Sequence, residues 1–488
     1  MTQRAEETLA AAETVAGVAA NPPRVGAVVL AAGSGTRFGG RKLEARFDGR
    51  PVLQHVLDVI SEAGLDDPIV VVGPEPPAGI DWRAARRVTN PEPNRGLASS
   101  VRLAWRAAVD GEVRPDAVLL VLGDQALLRA EVVRALVAMP FDPARPIVAP
   151  RYSGTDAHNP VRVEASAYAV FEEAEGDRGL GPVIERSDRV RWLEVEGDNP
   201  DVDTATDLAR VAELAWASRV RRNREQVDRF REAPDGADFY AAVSSIFRDD
   251  PDRTGDPVLD ALRKHARTGD TWLDIGAGAC RYALPLARTV RRVIAVDPSR
   301  SMLDGLRQGM AEHAIDNVEV VEGRWPGIAD EDEALARELP ADVALIAHVG
   351  YDIEAIGPFL DAMERAARRE CVAVLMERSP ASLAEAFWPP IHGEQRIALP
   401  GLPAFVDLLR ARGRAPSVEM VESSHRRWAS RDEVEPFVRR QTWVAPGSAK
   451  DRRMQELLDE WLVTNADGTV ELPVAEPLRI GLVAWRPR

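Results

Sequence analysis

Thirteen residues, Leu30-Ala-Ala-Gly-Ser-Gly-Thr-Arg-Phe-Gly-Gly-Arg-Lys42, gather four glycines and three cations directly after an apolar run, Val25 to Leu30. Glycines let backbone N–H groups turn inward against a phosphate chain, and Arg37 and Lys42 can neutralise the charge that builds there. The plainer reading is a glycine-rich turn between a strand and a helix. Asp124 stands just past Gly123 at the end of a second apolar run, Val118 to Leu122, where a carboxylate could hold Mg²⁺ on a triphosphate or simply cap the segment that starts near Arg129. A second glycine-rich strand end follows later, Thr271-Trp-Leu-Asp274-Ile-Gly276-Ala-Gly278-Ala-Cys280, with an acid ahead of its glycines. Asp297 closes the next apolar run, 19 residues beyond Gly278, about where an acid reaches a ribose diol.

Neither common phosphate fingerprint fits the first loop. The dinucleotide pattern needs glycine where Phe38 stands, and the P-loop needs Ser or Thr after Lys42, where Leu43 stands. The pattern that fits is L-A-A-G-x-x-x-R-x-G-x-x-K. It resembles the signature of the MobA-like nucleotidyltransferases, and the Ala-Ala form is similar to the molybdenum-cofactor cytidylyltransferase branch. Gly123-Asp124-Gln125 resembles that family's metal-binding aspartate motif, with Ala126 where proline is usual. Asn159-Pro160, Gly176-Asp177-Arg-Gly179 and Asp201-Val-Asp203-Thr204 follow in the family's order, with His158 in place of a glycine before Asn159.

The resemblance implies nucleotidyl transfer from an NTP, CTP in this branch, to a phosphate-bearing acceptor such as molybdopterin, with release of pyrophosphate. It assigns Leu30, Ala31, Ala32 and Gly33 to the nucleotide cradle, Arg37 and Lys42 to charge neutralisation, and Asp124 with Asp203 to Mg²⁺. For Asp203 the alternative is again an N-cap. Gly96, Leu97 and Ser99 match the part of the pocket that contacts the base; Ser99 or Ser100 is as readily a helix N-cap. A molybdoenzyme or another member of the cofactor pathway is the implied partner. The rival acceptor is a sugar phosphate or other phosphate ester.

In the second half the acid-before-glycines order resembles motif I of class I S-adenosylmethionine-dependent methyltransferases, which implies that cofactor at Asp274, Gly276, Gly278 and Asp297. Cys280 occupies the family's third glycine and Arg324 a position that is often acidic, so Trp325 is the residue left to stack on adenine, or to pack. His348, after the fourth strand, is placed to accept a proton from the methyl acceptor or to pack against the cofactor. A NAD site is an alternative for the same strand, glycine and acid set, and a domain that only binds its ligand is another. The aromatic segments Phe387-Trp388 and Arg426-Arg-Trp428 read first as core and second as an acceptor cap.

The elements that must position these residues follow the alternation of apolar strands and amphipathic helices, which predicts two α/β, Rossmann-like, mostly parallel sheets. Strands are expected near 25–30, 69–73, 117–122 and 147–149, and helices near 51–63, 97–109 and 129–138. The expected organisation is a leader over 1–23, a nucleotidyltransferase domain over 24–211, a helical linker over 212–236 and a methyltransferase domain over 237–488. A net charge of −16 argues against a nucleic-acid or anionic-membrane surface and leaves small molecules as substrates. Two distant cysteines, Cys280 and Cys371, give neither a disulfide framework nor a zinc site, so a reducing cytoplasm is the expected location.

Overall fold

The computed structural model describes residues 23–111, 114–155, 158–174, 176–232, 248–328, 340–421, 427–472 and 479–488. The expected leader, apart from its last residue, lies outside the described residues. The chain folds as two compact units, one built from residues up to Ala45 with Pro51–Thr204, the other from Arg46–Arg50 with Ala205–Arg488.

In the first unit seven strands form one sheet: β1 (Val25–Ala31), β2 (Ile69–Val72), β3 (Arg86–Thr89), β4 (Ala117–Leu122), β5 (Ile147–Tyr152), β6 (Val161–Glu164) and β7 (Val190–Val195). Their spatial order is β3-β2-β1-β4-β6-β5-β7. β1 runs parallel to both β2 and β4, with Val28 opposite Ile69 on one side and Leu120 on the other. Strands covered on both faces bury every side chain, which is why β1 and β4 read as unbroken apolar runs. The expected helices occur at Val52–Glu62, Leu97–Val109 and Ala130–Ala138.

β6 departs from the parallel pattern by pairing antiparallel with both β4 and β5. Its sequence, Val-Arg-Val-Glu, hides a core strand because its polar residues satisfy one another. Arg162 is fully buried, pairs with Glu164 at 3.0 Å and donates to the carbonyls of Leu136, Val137 and Met139. It thereby caps the orphan carbonyls at the end of the Ala130–Ala138 helix.

The second unit carries its own seven-stranded sheet: β8 (Thr271–Ile275), β9 (Arg292–Asp297), β10 (Val318–Glu322), β11 (Ala341–Ala347), β12 (Ala367–Met376), β13 (Ser417–Val421) and β14 (Ile480–Trp485). The order is β10-β9-β8-β11-β12-β14-β13, parallel except that β14 runs antiparallel to both its neighbours. A small three-stranded sheet and the helices Arg431–Thr442 and Ala449–Trp461 enclose a separate apolar cluster that includes Phe387, Trp428, Val438 and Leu457. Phe387 and Trp428 are therefore core residues, and Trp388 is fully buried as well.

The segment 212–236 enters the structure as part of one helix, Ala205–Phe230, and residues 233–247 lie outside the described set. That helix packs within the second unit: the Trp216 indole N–H donates to the carbonyl of Ile353 at 2.9 Å, and Arg221 pairs with Glu354. Arg219, Arg221 and Arg224 on this helix are thus matched by Asp48 and Glu354 of the same unit. Among the described residues no helix is long and apolar enough to cross a membrane.

Candidate active sites

In the first unit, β1 and β4 end level with each other, Leu30 opposite Leu122. Gly123 donates its N–H to the Leu30 carbonyl at 2.9 Å, and a Cβ at this position would stand 2.9 Å from the same oxygen. Only glycine lets the two strand ends approach so closely, and this approach sets Asp124 beside the loop that follows β1. The Asp124 carbonyl in turn accepts from the Val202 N–H at 3.1 Å, which brings in the segment that carries Asp203.

The result is a compact charged cluster. Lys42 Nζ donates to Asp124 Oδ2 at 2.6 Å and to Asp203 Oδ1 at 3.0 Å, and Arg37 pairs with Asp203 Oδ2 at 2.8 Å. Burial pushes the Lys42 ammonium down, but the two carboxylates outweigh it and hold its pKa above the ordinary value. Asp124 Oδ1 is buried with no hydrogen-bond partner. A buried, unsatisfied carboxylate oxygen next to a second carboxylate suits a hard divalent cation, so the donor set fits Mg²⁺ or a similar ion. The capping alternative for Asp124 does not hold, since the N-cap of the Ala130–Ala138 helix is Arg129, with no side-chain cap bond.

The glycines of the loop differ in purpose. Gly35, Gly39 and Gly40 have positive φ, which the backbone itself requires. Gly33 does not, and a Cβ there would meet nothing within 4 Å. The fold leaves Gly33 open space that a phosphate chain can use. Gly33→Ala is therefore expected to keep or raise the melting temperature, by about 0.4–1 kcal/mol in stability, while weakening NTP binding at least about tenfold. Differential scanning fluorimetry and nucleotide titration on the same variant check both halves.

Leu30, Ala31 and Ala32 are buried at the strand end that launches the loop. Gly96, Leu97 and Ser99 sit together against the Gly176–Gly179 segment. A Cβ on Gly96 would lie 2.7 Å from the Gly176 carbonyl oxygen, and one on Gly179 would lie 2.9 Å from Leu97 Cδ2. Ser99 does not act as an N-cap. Its hydroxyl donates to the Gly96 carbonyl and accepts from Asn90 Nδ2, which also reaches the Ser100 hydroxyl.

Asp201, to which the sequence motif gives no role of its own, lies within reach of the charges of Asp124, Asp203 and Lys42. Its Oδ1 accepts from Gln125 Nε2 at 2.9 Å, and Gln125 accepts from Asn199 at 3.3 Å. The residue reaches the surface, yet protein crowding its carboxyl and then the charge of Asp124 push its pKa up to about 6. The signal was present in the sequence: the i, i+2 spacing of Asp201 and Asp203 sets both on one side of an extended segment.

In the second unit, β8 ends level with β9 and β11, and the N–H groups of Gly276 and Ala277 donate to the Val296 carbonyl. Gly276 and Gly278 both have positive φ, and a Cβ on Gly276 would collide with Val349. Cys280, in the place of the third glycine, keeps the glycine-like backbone at φ 95°. Asp297 accepts from the Gly278 N–H at 2.9 Å and the Ser299 N–H at 2.8 Å, so its carboxylate fixes the glycine turn. Asp274 is 2% exposed, its Oδ1 has no partner, and burial followed by the charge of Asp297 raises its pKa to about 7. An orphaned buried acid beside an open glycine turn suits the cationic amino-acid end of S-adenosylmethionine.

His348 has φ 58° and donates its backbone N–H to the Val374 carbonyl; its ring lies 6.4 Å from that of Tyr282. Trp325 is buried and donates its indole N–H to the Phe359 carbonyl at 3.4 Å, an anchored packing position.

Comparison with known proteins finds a domain family in each unit. Residues 27–190 match the family model of the MobA-like NTP transferase domain, and residues 273–375 match that of a methyltransferase domain. The bifunctional protein GlmU of Parvibaculum lavamentivorans is 38% identical over 122 residues, 22% of this chain and 25% of that protein. GlmU of Desulfitobacterium hafniense is 27% identical over 207 residues, 40% of each chain. The chain thus spans less than half the length of these curated relatives. Among solved structures, Rv0371c of Mycobacterium tuberculosis is 28% identical, over 39% of this chain and 98% of that one, with a TM-score of 0.34. This polypeptide therefore carries a MobA-like NTP transferase domain over residues 27–190 and a methyltransferase domain over residues 273–375.

Proposed function

We propose that the first unit transfers a nucleotidyl group from an NTP, CTP in our reading, to a phosphate-bearing acceptor such as molybdopterin, and that the second methylates a small molecule. The observation that carries the first reading is the cluster of Lys42 and Arg37 on Asp124 and Asp203, with an unsatisfied oxygen on Asp124. An oxygen of the acceptor phosphate attacks the α-phosphorus, the bond to the bridging oxygen breaks, and pyrophosphate leaves. Two anionic reactants meet in this step, so positioning and positive charge supply most of the rate. Arg37 and Lys42 provide charge from the chain, and the loop around Gly33 provides N–H groups. A divalent cation, Mg²⁺ in our reading, held by Asp124 and Asp203 would add charge against the phosphates.

In the second unit Gly278 leaves room for the cofactor's amino-acid end, Gly276 lets the turn pack against Val349, Asp297 would face the ribose, and His348 would take a proton. S-adenosylmethionine supplies an activated methyl group when bound. Two free, buried cysteines fit a reducing compartment, and we place the protein in the cytoplasm with a cofactor-pathway protein or molybdoenzyme as partner.

Radiolabel transfer tests both readings on the intact chain. Each α-labelled NTP is offered with Mg²⁺ and either molybdopterin or a panel of sugar phosphates, and methyl-labelled S-adenosylmethionine is offered separately. Preference for another nucleotide removes the cytidylyl assignment, label passing only to sugar phosphates replaces the acceptor, and no binding of S-adenosylmethionine removes the methyl-transfer reading.

A further inference from the structure

The carboxyl edge of the second sheet continues past β12 into Glu377-Arg378-Ser379. These residues, with Ser382, Glu385 and the segment from Arg396 to Ala404, wall a cavity of about 290 Å³. β12 is separated from β8 only by β11, so the cavity opens on the same edge as the glycine turn, roughly 10 Å along the sheet from the end of β8. That is the edge on which ligands of such sheets bind.

Most charges around the cavity pair directly with one another. Glu377 pairs with Arg479 at 2.9 Å, Arg378 with Glu385 at 3.5 Å, and Arg219 with Asp48 at 2.6 Å. Arg396 spends Nη1 on the carbonyls of Ala381 and Gln441 and packs over the Trp388 ring at 4.9 Å. Among the described residues no carboxylate forms an ion pair with it. Burial lowers its pKa to about 10, while Glu385, already paired with Arg378, pulls the other way. A guanidinium held by carbonyls and by the face of an indole is pre-oriented to receive a planar or tetrahedral oxyanion.

We propose that this cavity is the methyl-acceptor site of the second unit and takes a small molecule bearing a carboxylate or phosphate, whose oxyanion pairs with Arg396. The inference rests on the methyl-transfer reading of that unit. A lone pair on the acceptor forms the bond to the methyl carbon, the electrons of the sulfur–carbon bond return to sulfur, and S-adenosylhomocysteine leaves. Any proton on the attacking atom passes to His348.

Equilibrium dialysis of the full chain with labelled benzoate and labelled phenyl phosphate, and separately with S-adenosylmethionine, tests this. Anion held in the first unit is common to all variants and cancels in the comparison. At least one probe is expected to bind, Arg396→Gln to weaken it tenfold or more, and Arg396→Lys to stay within about threefold. Because Arg396→Gln also loses two carbonyl contacts, Ser382→Trp serves as a second variant that fills the cavity and leaves the arginine; it is expected to abolish the same binding. S-adenosylmethionine affinity is expected to be unchanged in all three. The carboxylate and phosphate arms identify which oxyanion the site prefers. If the wild type binds neither probe, or both loss variants bind as it does, the inference falls while the methyl-transfer reading stands on its cofactor. If S-adenosylmethionine does not bind, the acceptor role falls whatever the cavity holds.

Discussion

Lys42→Met is expected to lower nucleotidyl transfer about 10²- to 10³-fold and, in the absence of divalent cations, to destabilise the first unit by roughly 1–3 kcal/mol. Two separate effects are involved. In the unliganded protein the ammonium is the group that lets Asp124 and Asp203 face one another, bridging them at 2.6 and 3.0 Å. Its side chain is only 10% exposed, so water cannot take over the role when it is removed. The two carboxylates would then repel across a poorly screened gap.

A divalent cation can replace this charge but not the reach of the side chain toward the phosphates. Millimolar Mg²⁺ or Mn²⁺ is therefore expected to restore the melting temperature of Lys42→Met and to leave its turnover low. The measurements are thermal unfolding with and without the cation, and pyrophosphate release at saturating NTP. A variant whose unfolding ignores the cation would count against Asp124 and Asp203 as its ligands. One with wild-type turnover would remove Lys42 from the chemistry.

Asp274→Asn is expected to change the pH dependence of the second unit. The folded pKa of Asp274 is raised to about 7, first by burial and then by Asp297, against the ordinary value of 3.8. Between these values the folded chain holds a proton that the unfolded chain releases. The stability due to the neutral acid is thus full below the unfolded pKa and is lost as pH rises to about 7, on the order of 2–4 kcal/mol across the window. Asparagine is uncharged at every pH, so relative to it the wild type should be progressively weakened from pH 5 to 7 and level off above. Urea unfolding at pH 5, 6, 7 and 8, without S-adenosylmethionine, gives the difference. Parallel stability curves for the two proteins would mean that Asp274 does not titrate in this range. Adding the cofactor should narrow the gap on the alkaline side, where the ionised acid gains a cationic partner.

Much of the fold was legible because it is locally encoded. β1 and β4 announce themselves as apolar runs because both faces are covered, and the helices at Val52–Glu62 and Leu97–Val109 show their one-sided apolar periodicity. The two glycine turns carry their chemistry within a dozen residues each. β3, with the sequence Arg-Arg-Val-Thr, was not legible: as an edge strand it has one neighbour and exposed polar side chains. β6 was hidden for the opposite reason, since its arginine and glutamate are buried and neutralise each other.

The sequence by itself determined the residue types of both sites, the order of the family elements and the two sheets, since each is written in contiguous stretches. Only the tertiary structure decided which charges meet. Lys42 and Asp203 are 161 positions apart and touch because Gly123 lets two strand ends close together and Asp124 holds the 201–203 segment by its carbonyl. Asp201 near Asp124 and Asp203, and Arg396 beside its cavity with no ion pair among the described residues, are likewise products of packing. Burial and distance determine what a charged group does, and both are properties of the folded chain, to which any one stretch of sequence contributes a part.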